Sequence, residues 1–161
     1  MAVDGNITIH GGSVDLKAKE VTDGFTATTG LSLGAGAKID VSGLWVNDLL
    51  ALENHQSPTG PLAINGGEVA LSSQLGADQL GLVLNAGSVI DVSGGGWLNA
   101  AGQLKAGNAG SIALLAKDSV RAGETAGGLQ LDGTLLGTAL GQGGFCASKR
   151  PSAIGIFSMV A

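Results

Sequence analysis

Apolar residues fall two apart in short bursts along this chain: Ile7 and Ile9, Val14 and Leu16, Leu31 and Leu33, Ile39 and Val41. A period of two places them on one face of a strand and sends Thr8, Asp15, Ser32 and Asp40 to the other. Glycine-rich corners such as Gly11-Gly12, Gly34-Ala35-Gly36 and Gly66-Gly67 separate the bursts and allow tight bends. Helix is disfavoured, because Gly supplies 29 of 161 residues and each one inside a helix costs about 1 kcal/mol relative to Ala. Residues 44–52 are the one stretch suited to two helical turns. Strands of three residues bury too little to stand alone, so they need neighbours.

The neighbours are written into the chain as repeats. Residues 31–43 read LSLGAGAKIDVSG and residues 82–94 read LVLNAGSVIDVSG, with nine of thirteen positions identical and in register. A second pattern, ITIHGGSVDL at 7–16, recurs as LAINGGEVAL at 62–71 and more loosely as AGNAGSIALLA at 106–116. LQLDGTLLG at 129–137 is a weaker third copy of the first pattern. The two patterns alternate, with starts near residues 7, 31, 62, 82, 105 and 129. This predicts an all-β solenoid of about six coils of twenty-odd residues, each burying its apolar face against the next. The long interval at about 44–61 is read as an inserted loop. A β-sandwich also suits short strands, but it has no need for near-identical units in register.

Composition narrows the class further. Hydrophobic residues make up 44% and charged residues 13%, which suits a patterned apolar interior rather than a disordered chain. The net charge of −5, scattered Lys and Arg, and five aromatic residues argue against nucleic-acid binding. No apolar run approaches the length of a membrane-spanning helix. The N-terminus, MAVDGNITIHGG, lacks the pattern of a signal peptide. A single cysteine, Cys146, excludes an internal disulfide framework.

The repeat region spans residues 1–144, and the tail at 145–161 departs from it. That tail holds the only Cys, two of the three Phe and an adjacent Lys149-Arg150-Pro151. It reads either as a cap, with Ile154, Ile156 and Phe157 over an open edge, or as the scar of a truncated array. GSVDLKA at 12–18, the two IDVSG segments, GSIALLA at 110–116 and LQLDGTLLGTALGQGG at 129–144 resemble the filamentous haemagglutinin family of two-partner secretion exoproteins. The resemblance covers most of residues 6–144 and none of the tail. It implies a right-handed parallel β-helix, passage through an outer-membrane transporter in the parent protein, an extracellular or outer-membrane-surface location, and a role in adhesion. The chain has no Asn-Pro-Asn segment of the kind that marks the family's N-terminal secretion domain.

Candidate chemistry is sparse. A β-helical polysaccharide lyase or hydrolase fragment is the alternative function, and it needs clustered carboxylates with basic residues nearby. Asp40 and Asp91 are repeat equivalents, expected two coils and about 10 Å apart on a solvated outer face. His10 matches Asn65 as a polar corner residue, and His55 lies in the insertion beside Glu53. Neither makes a metal site alone. Ser42 and Ser93 lack a nucleophile elbow, and Gly94-Gly95-Gly96 and Gly141-Gln142-Gly143-Gly144 lack the Lys of a phosphate loop. No catalytic residue, cofactor or metal is therefore expected. Trp45 and Trp97 each follow an IDVSG strand and are expected on one side of the rod. They are the candidate surface-binding residues, for host or bacterial glycans or proteins, or else they seal glycine-rich corners. Uncapped ends also permit end-to-end self-association.

Overall fold

A computed structural model describes residues 1–18, 30–48, 62–75, 80–118, 128–150 and 153–158. Among these residues the chain is all-β, its sheets are mainly parallel, and there is no helix. The strands fall into four successive passages. The first holds β1 (Ala2–Val3), β2 (Asn6–Thr8) and β3 (Ser13–Ala18). The second holds β4 (Leu31–Leu33), β5 (Lys38–Asp40), β6 (Trp45–Asn47) and β7 (Glu68–Leu75). In the third are β8 (Leu80–Leu84), β9 (Val89–Asp91), β10 (Gly96–Leu98), β11 (Leu104–Ala106) and β12 (Ser111–Asp118). The fourth has β13 (Gly128–Leu131), β14 (Thr134–Leu136), β15 (Phe145–Arg150) and β16 (Ala153–Ser158).

Each passage contributes one strand to each of three sheets. The first sheet runs β1-β4-β8-β13, the second β2-β5-β9-β14, and the third β3-β7-β12-β15 with β16 added antiparallel at its edge. All other pairings in these three sheets are parallel. Register follows the sequence repeat: Leu31 faces Leu82, Ile39 faces Ile90, and Val14 faces Val69.

The expectation of six coils is corrected to four passages. The two alternating patterns are consecutive faces of one passage, not consecutive coils. The stretch at 31–43 supplies β4 and β5, and the stretch at 62–71 supplies β7 of the same passage. Backbone pairing therefore skips the intervening pattern each time, because a strand pairs with its equivalent on the next passage.

The core is a set of side-chain columns running through the stack. Leu31 and Leu82 are fully buried, with Leu129 continuing their column, while Ile39 and Ile90 continue from the partly buried Ile7. On the third sheet Val14, Val69, Ile112 and Cys146 line up, beside Leu16, Leu71 and Leu114. Next in that sheet come Ala18, Ser73 and Ala116, all buried. Like side chains stacking on like give apolar contact above and below at every level, which a three-residue strand cannot obtain alone.

Corners are fixed by backbone approach and by side-chain amides. Gly12, Gly67 and Gly110 stack at the entry to the third sheet, where Gly67 N donates to the Val41 carbonyl at 2.8 Å and Ser111 N to the Gly67 carbonyl at 3.1 Å. A Cβ at Gly67 would overlap the Gly12 carbonyl oxygen, so this corner admits only glycine. Just before it, Asn65 Oδ1 accepts from Asn108 N at 3.0 Å, and Asn108 Oδ1 accepts from Gln142 N at 2.9 Å. His10, the expected counterpart of Asn65, has Nδ1 3.0 Å from the Ser42 carbonyl.

Two excursions leave the stack between the second and third sheets. In the expected insertion, Trp45–Asn47 forms strand β6 instead of the start of a helix, and residues 49–61 lie outside the described residues. A second excursion, which no sequence expectation covered, spans β10 and β11. β10 pairs parallel with β6, then turns through Gly102, at φ 76°, into antiparallel β11. These three strands make a fourth sheet, in the order β11-β10-β6. At the other end, Phe145–Arg150 continues the third sheet in register with β12, so the ladder runs past residue 144.

Candidate functional site

The IDVSG segments end the second-sheet strands with the same local device. Asp40 Oδ1 accepts hydrogen bonds from Ser42 N at 3.0 Å and Ser42 Oγ at 2.6 Å, and Asp91 Oδ1 accepts from Ser93 N at 3.0 Å. A carboxylate bonded to the backbone two residues on forms an Asx turn, which bends the chain out of the strand. The corners then stack on one another: Gly43 N donates to the Ser93 carbonyl and Gly94 N to the Thr138 carbonyl, both at 2.8 Å.

Asp40 and Asp91 are adjacent in the ladder, not separated by an intervening coil as expected. Two stacked carboxylates repel, and Lys38 offsets this. Its Nζ donates to Asp40 Oδ2 at 2.6 Å. That hydrogen bond raises the Lys38 pKa against the opposing effect of burial, with the charges of Asp40 and Asp91 adding to the rise. Burial alone would push the Asp40 carboxyl up. Hydrogen bonds from Lys38 and Ser42, with the lysine charge, outweigh it and hold the carboxyl at about 2. Asp40 is thus not the solvated side chain the sequence suggested, since 13% of it is exposed.

Beyond these corners lies an open groove of about 470 Å³. The second passage contributes Ser42, Gly43 and Trp45, and the third contributes Asp91, Ser93 and Gly94. The fourth contributes Leu136, Thr138, Ala139 and Leu140. The groove therefore crosses three levels of the stack. Ser42, Ser93 and Thr138 put one hydroxyl on each level, and Ser93 Oγ lies 3.3 Å from Thr138 Oγ1. Trp45, Leu136 and Leu140 are exposed apolar groups along it.

The expected pairing of Trp45 with Trp97 on one side is corrected. Register aligns Trp45 with Gly96 and Trp97 with Val46, so the two indoles lie on opposite faces of the β6–β10 pair. Trp45 is 63% exposed and belongs to the groove. Trp97 is half-buried and its Nε1 donates to Asp48 Oδ2 at 2.6 Å, which ties the two excursions together. Leu136, Thr138 and Leu140 were missed as site residues. The weaker copy is two residues shorter: Leu129 pairs with Leu82, 47 positions back, but Leu136 pairs with Asp91, 45 back. An ungapped alignment of LQLDGTLLG therefore sets Leu136 opposite Val89 and hides its place in the Asp91 column. His55 and Glu53 lie outside the described residues. Among those described, no three His, Cys, Asp or Glu residues are grouped to hold a metal ion, and no helix is long and apolar enough to cross a membrane.

No protein-family model matches the chain, and no curated protein or solved structure is significantly similar to it.

Proposed function

We propose that this chain is a stretch of right-handed parallel β-helix from a filamentous-haemagglutinin-like exoprotein, where it serves as a non-catalytic adhesive shaft. The observation that carries the reading is the in-register stacking of three parallel sheets over four passages, around continuous columns of Leu, Ile and Val. Such a stack has a repetitive interior and independently variable outer corners, so it gives length and display surface without a preformed reaction centre. The IDVSG and GSVDL segments that resemble the family supply the strands of these ladders. In the parent protein an outer-membrane transporter would export the chain to the cell surface or beyond.

The test places the chain downstream of a family secretion domain and co-expresses the cognate transporter. The expected result is protease-resistant chain on the cell exterior, and beads coated with purified chain adhering to cells. Retention inside the cell, or beads that adhere no better than uncoated ones, would overturn the reading. Incubation with polysaccharides, with and without Ca²⁺, is expected to release no new chain ends. Turnover abolished by Asp91→Ala would replace the shaft with a lyase or hydrolase.

A further inference from the structure

We infer that the groove beside Trp45 is a binding site for an uncharged glycan chain, laid along the stacking direction across three levels. The inference rests on the adhesive reading for its biological sense, but its chemistry comes from the groove itself. Saccharide rings present C–H faces that pack on aromatic rings and a rim of hydroxyls that need hydrogen-bond partners. Trp45 supplies the platform. Its indole is exposed, yet it lies against Gly96, where a Cβ would come within 2.9 Å of the ring. The missing side chain lets the ring rest close on backbone, so little side-chain freedom is lost on binding.

Polar partners recur at each level. Ser42, Ser93 and Thr138 line the groove with the spacing of stacked strands, about 4.8 Å, roughly one partner set per sugar ring. Ser42 donates its proton to Asp40 and Thr138 donates to Ser93, so these two offer acceptor lone pairs to sugar hydroxyls. Asp91 adds a carboxylate, and among the described residues its second oxygen has no hydrogen-bond partner. Leu136 and Leu140 give the far side an apolar surface for C–H or acetamido methyl groups. Charge selects the class of glycan. The lining includes Asp91 but no Lys, Arg or His, and the whole chain carries −5. Sulfated or uronate-rich chains are therefore repelled, and uncharged ones are accepted.

The test follows the two indole N–H signals by ¹H–¹⁵N NMR in the full chain, with Trp97→Phe used to assign them. Tetramers of N-acetylglucosamine and of glucose are titrated beside a heparin tetrasaccharide and the monosaccharides. The expected result is a saturable shift of the Trp45 signal with an uncharged tetramer, stronger than with its monosaccharide and absent with heparin. Trp45→Ala should weaken binding at least about tenfold, while Trp97→Phe should change it less than about twofold. No shift with either uncharged tetramer, or a preference for heparin, overturns the inference. So does coated-bead adherence that neither uncharged tetramer inhibits, and that outcome leaves the adhesive shaft standing.

Discussion

Ser73→Ala should stabilise this protein. Ser73 is fully buried on β7, and among the described residues its Oγ has no hydrogen-bond partner. Its neighbours in the ladder are Ala18 on β3 and Ala116 on β12, both buried, so the same column already accepts a methyl group on either side. A buried hydroxyl without a partner costs about 1–3 kcal/mol relative to water. Removing the oxygen leaves a void that costs about 0.3 kcal/mol by the usual cavity coefficient. The net expectation is a gain of about 1 kcal/mol, or about 2–4 °C in Tm for a chain of this size. Urea unfolding followed by far-UV circular dichroism measures it, with Ser72→Ala at the adjacent half-buried position as a control expected within about 0.5 kcal/mol of wild type. A loss of 1 kcal/mol or more in Ser73→Ala, at an unchanged m-value, would mean the hydroxyl has a partner and the reasoning fails.

Further substitutions test other parts of the fold. Gly67→Ala drives a Cβ into the Gly12 carbonyl and should destabilise by about 1–3 kcal/mol in the same urea assay. Gly36→Ala has open space but a φ of +86°, so it should cost about 1 kcal/mol through backbone strain alone. For Asp40 the folded pKa of about 2 lies below the ordinary 3.8. Its contribution is therefore present above about pH 4 and lost as the pH falls toward 2. The shift sets a ceiling of about 2.5 kcal/mol, and solvent screening at Lys38, 41% exposed, lowers the expected Asp40→Asn loss at pH 7 to about 1 kcal/mol. Unfolding curves for wild type and Asp40→Asn should converge near pH 2, and a constant gap down to that pH would contradict the assignment. The Cys146 thiol is buried and its pKa is raised by that burial. A disulfide reagent should label it stoichiometrically in urea and negligibly in the native state.

Much of the ladder was legible because each buried position repeats its own chemistry. Leu31 and Leu82, Leu33 and Leu84, and Ile39 and Ile90 could be aligned from sequence and are paired in the structure. The number of passages was not legible. A strand on the first sheet and one on the third both show apolar residues two apart, and nothing in that period tells consecutive faces from consecutive coils. The connections between them vary in length, which hides the true repeat. The tryptophans failed for a smaller reason. Trp45 follows Gly43 by two residues, whereas Trp97 follows Gly94 by three, because Gly95 and Gly96 stand where Leu44 stands alone. One extra residue sends a side chain to the opposite face of a strand.

The groove forms where the repeat stops repeating. Along one column of the second sheet the residues are Thr8, Asp40, Asp91 and Leu136. The two central carboxylates share the field of Lys38 and hold the corners of their own levels. At the fourth level Leu136 replaces the carboxylate, so no Asx turn forms there, and Ser93 Oγ takes up the Thr138 backbone N–H at 3.2 Å instead. Leu136 and Leu140 are exposed and line the groove together with Trp45. In the glycan-binding inference this exposed leucine, standing where the repeat has a turn-forming aspartate, is part of the binding surface. Restoring the repeat with Leu136→Asp tests that claim directly. It should leave the ladder intact by circular dichroism while removing apolar surface and adding like charge in the groove. An uncharged tetrasaccharide should then bind at least about tenfold more weakly. Unchanged affinity in Leu136→Asp would show that the departure from the repeat carries no binding role.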